Sequence, residues 1–184
     1  MNKDALMEKK ISSERIFSGK IIGVERDTVE LPNGETAFRE LIRKNGAVCV
    51  VALTENDEVL LVNQCRYPYN TVLKEIPAGK LEGDEDHLLC AKRELSEETG
   101  YEAETIVPIG EFYPSPAIMD EVLYMYLATG LTLGQTHMDD DEFIENEKMP
   151  LEELVQKIID GEIPDGKTQA AVLKVWAMKK KGEI

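Results

Sequence analysis

The most regular feature of the chain is an uninterrupted apolar run, Ala47-Val48-Cys49-Val50-Val51-Ala52-Leu53, with Asn45-Gly46 before it and Glu55-Asn56-Asp57 after it. A short run rich in β-branched residues and without polar alternation reads as a strand buried on both faces. A second strand is expected at 58–63, and the polar turn between the two predicts that they pair as a central hairpin. Upstream, β-type runs at 20–24 and 28–31 lead into Pro32-Asn33-Gly34 and a further run through Phe38 and Leu41. Asn and Gly both tolerate positive φ, so this is a hairpin signal, and it predicts an N-terminal antiparallel β element in residues 1–45 ahead of a main domain at 46–184.

Between Gly83 and Gly100 the period changes. Leu88, Ala91 and Leu95 recur at helical spacing, Asp84 is placed to cap the start and Gly100 to end the last turn, which predicts an amphipathic helix of about four turns. Strands are expected at 105–112, 122–127 and 142–147, and helices at 151–160 and 167–178, where Trp176 stands one turn from Val172 and reads as core. Strands and helices together point to the α/β class.

Length and composition narrow the function. The 184 residues, 42% hydrophobic and 31% charged, suit one domain of ordinary size with a small appended element. A net charge of −15 repels phosphate backbones and anionic lipid, so neither nucleic acid nor membrane is an expected partner. A phosphate-bearing small molecule remains compatible if divalent cations screen the carboxylates. Cys49, Cys65 and Cys90 are odd in number and far apart, so they are expected to be reduced and buried rather than paired. His87 and Cys90 stand at helical spacing, but a zinc site needs more nitrogen and sulfur ligands than these. The first ten residues are polar, with no run of leader or membrane-span length, and the expected location is the cytoplasm.

The candidate chemistry lies in the predicted helix. Glu94, Glu97 and Glu98 stand at i, i+3 and i+4, so their carboxylates crowd one face. They also occupy the last turns before Gly100, where the helix dipole disfavours acids by about 0.3–1 kcal/mol each. Two readings are open at this point. One is a solvated acidic face, ordinary in so acidic a chain; the other is a site for a hard divalent cation, which turns the repulsion into coordination.

The flanking residues decide between them. Gly79, Glu85, Arg93, Glu94, Glu97, Glu98 and Gly100 fill the fixed positions of G-x5-E-x7-R-E-U-x-E-E-x-G-U, where U is bulky and apolar, and Leu95 fills the first U. The segment therefore resembles the Nudix hydrolase signature, with Tyr101 as a departure at the second U. The resemblance implies an α/β/α sandwich with a mixed sheet and hydrolysis of a nucleoside diphosphate linked to another moiety. It implies Glu94, Glu97, Glu98 and the Ala78 carbonyl as metal ligands, with Mg²⁺ as the ion and Mn²⁺ as a substitute, and an ion pair of Glu85 with Arg93. On a regular helix those two lie about 12 Å apart in rise, so their pairing requires Glu85 to precede the helix.

Glu75-Ile76-Pro77-Ala78-Gly79-Lys80, the form of the signature core, and Phe112-Tyr113-Pro114-Ser115-Pro116 are similar to the ADP-ribose pyrophosphatase subfamily. Pro116 has the subfamily's spacing from Gly100, while Ala117 departs from the glycine common after it. The resemblance implies cleavage of ADP-ribose, substrate contacts by Arg66, Arg43 and Pro116, and a homodimer whose N-terminal strands cross to the partner subunit. It implies a general base in the acidic stretch Asp139-Asp140-Asp141-Glu142, with Glu142 first, Asp140 and Asp141 as alternates and Glu145 behind them. Another nucleotide sugar, such as GDP-mannose or a UDP-sugar, and a nucleotide-sensing module without turnover are the competing readings.

Overall fold

The computed structural model describes residues 3–134 and 143–184. These fall into two compact units, one of residues 1–45 with 113–121, the other of residues 46–112 with 122–184.

The N-terminal unit is an antiparallel three-stranded sheet in the order β1 (Lys9–Ser18), β2 (Gly23–Glu30), β3 (Thr36–Arg43). The turn carrying Asn33-Gly34 joins β2 to β3 as expected, with Gly34 at φ 83°. β1 was not legible in the sequence, because Lys9-Lys10-Ile11-Ser12-Ser13-Glu14-Arg15 lacks apolar alternation, and all ten of its residues are exposed. Val29 is the one hydrophobic residue of the described part of this unit that is buried. Ion pairs do much of the remaining work: Asp27, 4% exposed, accepts from the Ser13 hydroxyl and pairs with Lys10 at 3.1 Å.

The segment 113–121 belongs to the same unit. Its proline-rich part is a turn: the Ser115 carbonyl accepts from Ile118 N at 3.1 Å and Met119 N at 2.9 Å, with Pro116 at a turn position that suits its fixed φ. Asp120 and Glu121 then return to pair with Arg43 and Lys44.

The larger unit is layered around β4 (Ala47–Ala52), whose six residues are all buried. Ala47, Cys49 and Val51 face one apolar cluster, and Val48, Val50 and Ala52 face another, which is why no polar residue interrupts the run. β4 lies in a mixed sheet of order β7-β4-β9-β8, where β7 is Ala78–Lys80, β8 Tyr101–Phe112 and β9 Leu123–Leu133. It runs parallel to β9 and antiparallel to β7.

The expected central hairpin does not form. β5 (Glu58–Arg66) belongs to a second sheet, in the order β10-β5-β6, with β6 at Thr71–Glu75 and β10 at Ile144–Pro150. A single bridge, Leu53 to Val59, joins it to the end of β4. Each strand is covered on both faces, so hydrophobicity alone could not say which neighbours they take.

One apolar cluster joins the sheets to α2 (Leu151–Ile159) and α3 (Gly166–Lys180), through Leu154, Val155, Val172 and Val175. The other packs Cys90, Ala91 and Leu95 of α1 (His87–Thr99) against Val48, Val50 and Tyr126. The result is the α/β/α arrangement expected from the signature. Trp176 packs at the edge of the first cluster and donates to Glu152 at 3.1 Å. Cys49 and Cys90 are buried, whereas Cys65 is exposed, contrary to expectation: β5 has left the core by that point. Among the described residues no helix is long and apolar enough to cross a membrane.

Candidate active site

α1 starts later than its apolar pattern suggested. Asp86, not Asp84, is the N-cap, accepting from Leu88 N at 2.9 Å and Leu89 N at 3.2 Å. Residues 81–85 form a turn before it, closed by Glu85 N to the Glu82 carbonyl at 3.0 Å. The helix ends at Gly100, φ 73°, whose N–H returns to the Ser96 carbonyl at 2.8 Å, a left-handed cap that glycine adopts without strain.

Because Glu85 sits in the turn, it reaches Arg93 despite the eight-residue separation. Arg93 Nε donates to Glu85 Oε1 and Nη2 to Oε2, both at 3.0 Å. The same guanidinium reaches Glu94 and Glu97 through Nη1 at 2.8 Å each, and the Lys80 carbonyl through Nη2 at 3.2 Å. The Arg93 hydrogen bonds hold the Glu85 carboxyl down at about 2, against an ordinary 4.5, and Glu85 in turn holds Arg93 more firmly protonated.

The third acid of the cluster is fixed from the opposite side. Glu98, 2% exposed, accepts from Ala78 N at 2.9 Å, which seats the end of α1 on β7. Gly79 lies against Glu94, and a Cβ built at Gly79 would fall inside the Glu94 carboxylate. The motif's first glycine is therefore a matter of space. Ala78, Glu94, Glu97 and Glu98 thus belong to one locality at the junction of β7 and α1.

Three carboxylates, Glu85, Glu94 and Glu97, share one guanidinium here, with Glu98 held beside them by Ala78 N, and this all-oxygen donor set fits the demands of a hard divalent cation. Among the described residues no three acidic, cysteine or histidine side chains form a ready-made cage. Arg93 holds Glu94 and Glu97 in this conformation.

The remaining expected residues are distributed differently. Arg66, at the end of β5, is in the same unit and is paired with Glu75, Nε to Oε1 at 2.7 Å and Nη2 to Oε2 at 2.5 Å. The charge of Glu98 reaches it too, so Arg66 lies within the field of the carboxylate cluster. Arg43 and Pro116 belong to the N-terminal unit. The Arg43 guanidinium donates to Glu25 at 2.8 Å and Asp120 at 2.9 Å, and these bonds raise its pKa above the usual value. Asp139, Asp140, Asp141 and Glu142 lie outside the described residues, while Glu145 is an exposed residue of β10 opposite Asn63.

Sequence reasoning missed an ion network behind Arg66. Glu75 is 1% exposed and accepts from both Arg66 and Lys167; Lys167 also pairs with Asp165 at 3.0 Å. Burial pushes the Glu75 carboxyl up, but the hydrogen bonds and charges of Arg66 and Lys167 outweigh it and leave the pKa below its ordinary value. Asp165-Gly166-Lys167-Thr168 was visible only as the start of a helix, and Glu75 only as the first residue of the block 75–80 that is similar to the subfamily, with no sign of its partners.

Two outcomes follow. Glu85 has a lower pKa folded than unfolded, so its contribution to stability is complete above pH 4.5 and is lost as pH falls from there toward 2. Glu85→Gln is expected to lower the unfolding free energy at neutral pH, and its deficit against the parent should shrink over that acid range, as read by urea titrations across pH. Gly79→Ala should cost about 1–3 kcal/mol by overpacking against Glu94. In the Glu94→Ala background that cost should largely vanish, a coupling that a double-mutant cycle measures.

Comparison with known proteins agrees with this geometry. The NUDIX domain family matches residues 43–171, and the family described as nucleoside diphosphate sugar hydrolase N-terminal domain matches residues 8–42. A methanol dehydrogenase activator of Bacillus methanolicus is 44% identical, over 90% of this chain and 90% of its own length. An ADP-ribose pyrophosphatase of Bacillus subtilis (strain 168) is 41% identical over 91% and 92%, and one of Mycobacterium tuberculosis (strain ATCC 25618 / H37Rv) is 36% identical over 91% and 83%. A crystal structure of an ADP compounds hydrolase superposes with a TM-score of 0.84 at 19% identity, covering 97% of this chain and 98% of that one. With the full set of signature residues gathered where β7 meets the end of α1, the chain belongs to the Nudix family.

Proposed function

We propose that this chain is a divalent-metal-dependent pyrophosphohydrolase that adds water across the diphosphate of ADP-ribose to give AMP and ribose 5-phosphate. The observation that carries the reaction class is the carboxylate cluster at the end of α1, braced by Arg93 and seated on Ala78 N. The substrate rests on the two relatives named ADP-ribose pyrophosphatase, 41% and 36% identical over most of the chain.

Glu94, Glu97, Glu98 and the Ala78 carbonyl would hold the metal, Mg²⁺ first and Mn²⁺ as a substitute. Such an ion polarises phosphoryl oxygens and acidifies a bound water, the two tasks that a kinetically stable diphosphate sets. The protein's own groups supply the rest. Arg66 pairs with Glu75 through Nε and Nη2, so Nη1 stands outside that pair and can donate to a phosphoryl oxygen. Tyr67, the next residue, is 90% exposed and offers a ring face to a base. Arg43 and Pro116 would be further substrate contacts, and Glu142 would be the general base, with Asp140 and Asp141 as alternates and Glu145 behind them.

A nucleotide sugar other than ADP-ribose is the second reading, favoured by a GDP-mannose pyrophosphatase of Yersinia enterocolitica serotype O:8 that is 36% identical over 68% of this chain and 70% of its own. The experiment is a panel of ADP-ribose, ADP-glucose, GDP-mannose and UDP-glucose with each metal, products separated by chromatography. ADP-ribose is expected to have the highest kcat/KM, and a tenfold lead by another member, about 1.4 kcal/mol in transition-state binding, overturns the substrate. Activity should vanish in EDTA and return with Mg²⁺. Glu97→Gln and Glu98→Gln should fold and lose several orders of magnitude in turnover; full activity in both sinks the ligand assignment.

The N-terminal unit is read as a dimerising element. Its sheet exposes Ile11 (55%), Phe17 (53%) and Phe38 (68%), while Val29 is its one buried hydrophobic residue among those described, so the unit holds little core of its own. A second copy of the chain is the proposed cover, giving a homodimer in the cytoplasm. Light scattering should give about twice the chain mass of 20.7 kDa, and a Phe17→Glu, Phe38→Glu double variant should halve it.

A further inference from the structure

The pair of Arg66 with Glu75 would be complete by itself, since two parallel bonds join a planar fork to a carboxylate and the charges cancel. Lys167 disturbs that closure. Its ammonium reaches Glu75 Oε2, the same oxygen that Arg66 Nη2 uses, so the buried carboxylate is shared between two cations. On its other side Lys167 donates to Asp165 Oδ2 at 3.0 Å. Asp165 is the N-cap of α3, accepting from Thr168 N at 2.9 Å, and Thr168 Oγ1 takes Ile76 N at 3.0 Å. The start of α3 therefore holds both the side chain of Glu75 and the backbone of the residue after it.

The order of exposure along this chain of charges gives it a direction. Glu75 and Lys167 side chains are 1% and 11% exposed, Asp165 is 16%, and Arg66 is 37%. Arg66 is thus the end that meets solvent, and the interior members set how much of its charge is left for a ligand. Arg66, Glu75 and Asp165 alone sum to −1, close to Glu98 and in a protein of net charge −15. Lys167 brings the sum to zero. Without it, an arriving diphosphate faces a surplus carboxylate that the low-polarity interior screens poorly.

We infer that Lys167 is a positioning residue for the diphosphate subsite: acting through Glu75, it fixes the Arg66 guanidinium and offsets Asp165, keeping the charge of Arg66 available to a phosphoryl group. This inference rests on the reading of Arg66 as a substrate contact. Lys167 itself touches Glu75 and Asp165 and has no part in the bond cleavage.

The test is steady-state kinetics on ADP-ribose with saturating Mg²⁺, with a melting curve for each variant. Lys167→Met should raise KM by about tenfold while kcat stays within about twofold, as loss of one charge near a dianion predicts. Lys167→Arg should restore KM to near the parent value. Asp165→Asn keeps a good N-cap and leaves the network one charge more positive, so it should lower KM, a direction that damage to the fold does not produce. Arg66→Ala should raise KM, and adding Lys167→Met to it should raise KM further by clearly less than the tenfold it costs alone. An unchanged or raised KM in Asp165→Asn, additive effects of the Arg66 and Lys167 variants, or a loss in kcat alone for Lys167→Met each overturns the inference. If Lys167→Met fails to fold, the Asp165→Asn result decides. An Arg66→Ala variant with parental KM overturns instead the reading on which the inference rests.

Discussion

Three carboxylates at the negative end of a helix repel one another and the helix dipole, and the architecture around α1 is organised to hold them there. Each adverse placement costs about 0.3–1 kcal/mol at an exposed site, more where water is excluded, and Glu98 is almost fully buried. The compensation is local and specific. Arg93 touches Glu85, Glu94 and Glu97 together, and Ala78 N donates to Glu98. For Ala78 to do so, β7 must lie beside β4, and α1 must pack its Cys90, Ala91 and Leu95 face on the even-numbered residues of β4. The buried central strand, whose two faces serve two helical layers, is the platform on which this crowding is possible.

The chemistry was more legible in the sequence than the topology. A constellation such as Gly79, Glu85, Arg93, Glu94, Glu97, Glu98 and Gly100 is fixed by the reach of side chains along one loop and one helix, so spacing carries it. The need for Glu85 to precede the helix followed from the rise per residue, and the structure has it in the turn, with Asp86 as cap. Strand pairing depends on tertiary partners. β4 and β5 looked alike and adjacent, yet they lie in different sheets, because a strand apolar on both faces has no preferred side to reveal its neighbours. β6 and β7 are short and interrupted by Pro77, and neither carries a period long enough to read. The network of Glu75, Lys167 and Asp165 joins residues 92 positions apart, which no local pattern encodes.

That network and the carboxylate cluster share one segment. Glu75 is held by Arg66 and Lys167, Ile76 N by Thr168, and the Pro77 carbonyl by Val50 N at 2.9 Å. Ala78 N is held by Glu98, Gly79 is packed on Glu94, and the Lys80 carbonyl accepts from Arg93 and Cys90. Six consecutive residues are thus gripped in turn by β5, α3, β4 and α1. A strand of three residues paired on one edge would be a poor support for the Ala78 backbone by itself, since so few ladder bonds leave it soft. Tied at every residue to a different element, it becomes as rigid as the core behind it. The ions at its start and the ions at its end then stand in a fixed relation across one short stretch of backbone, so a change of charge near α3 can be felt at Arg66 without moving α1.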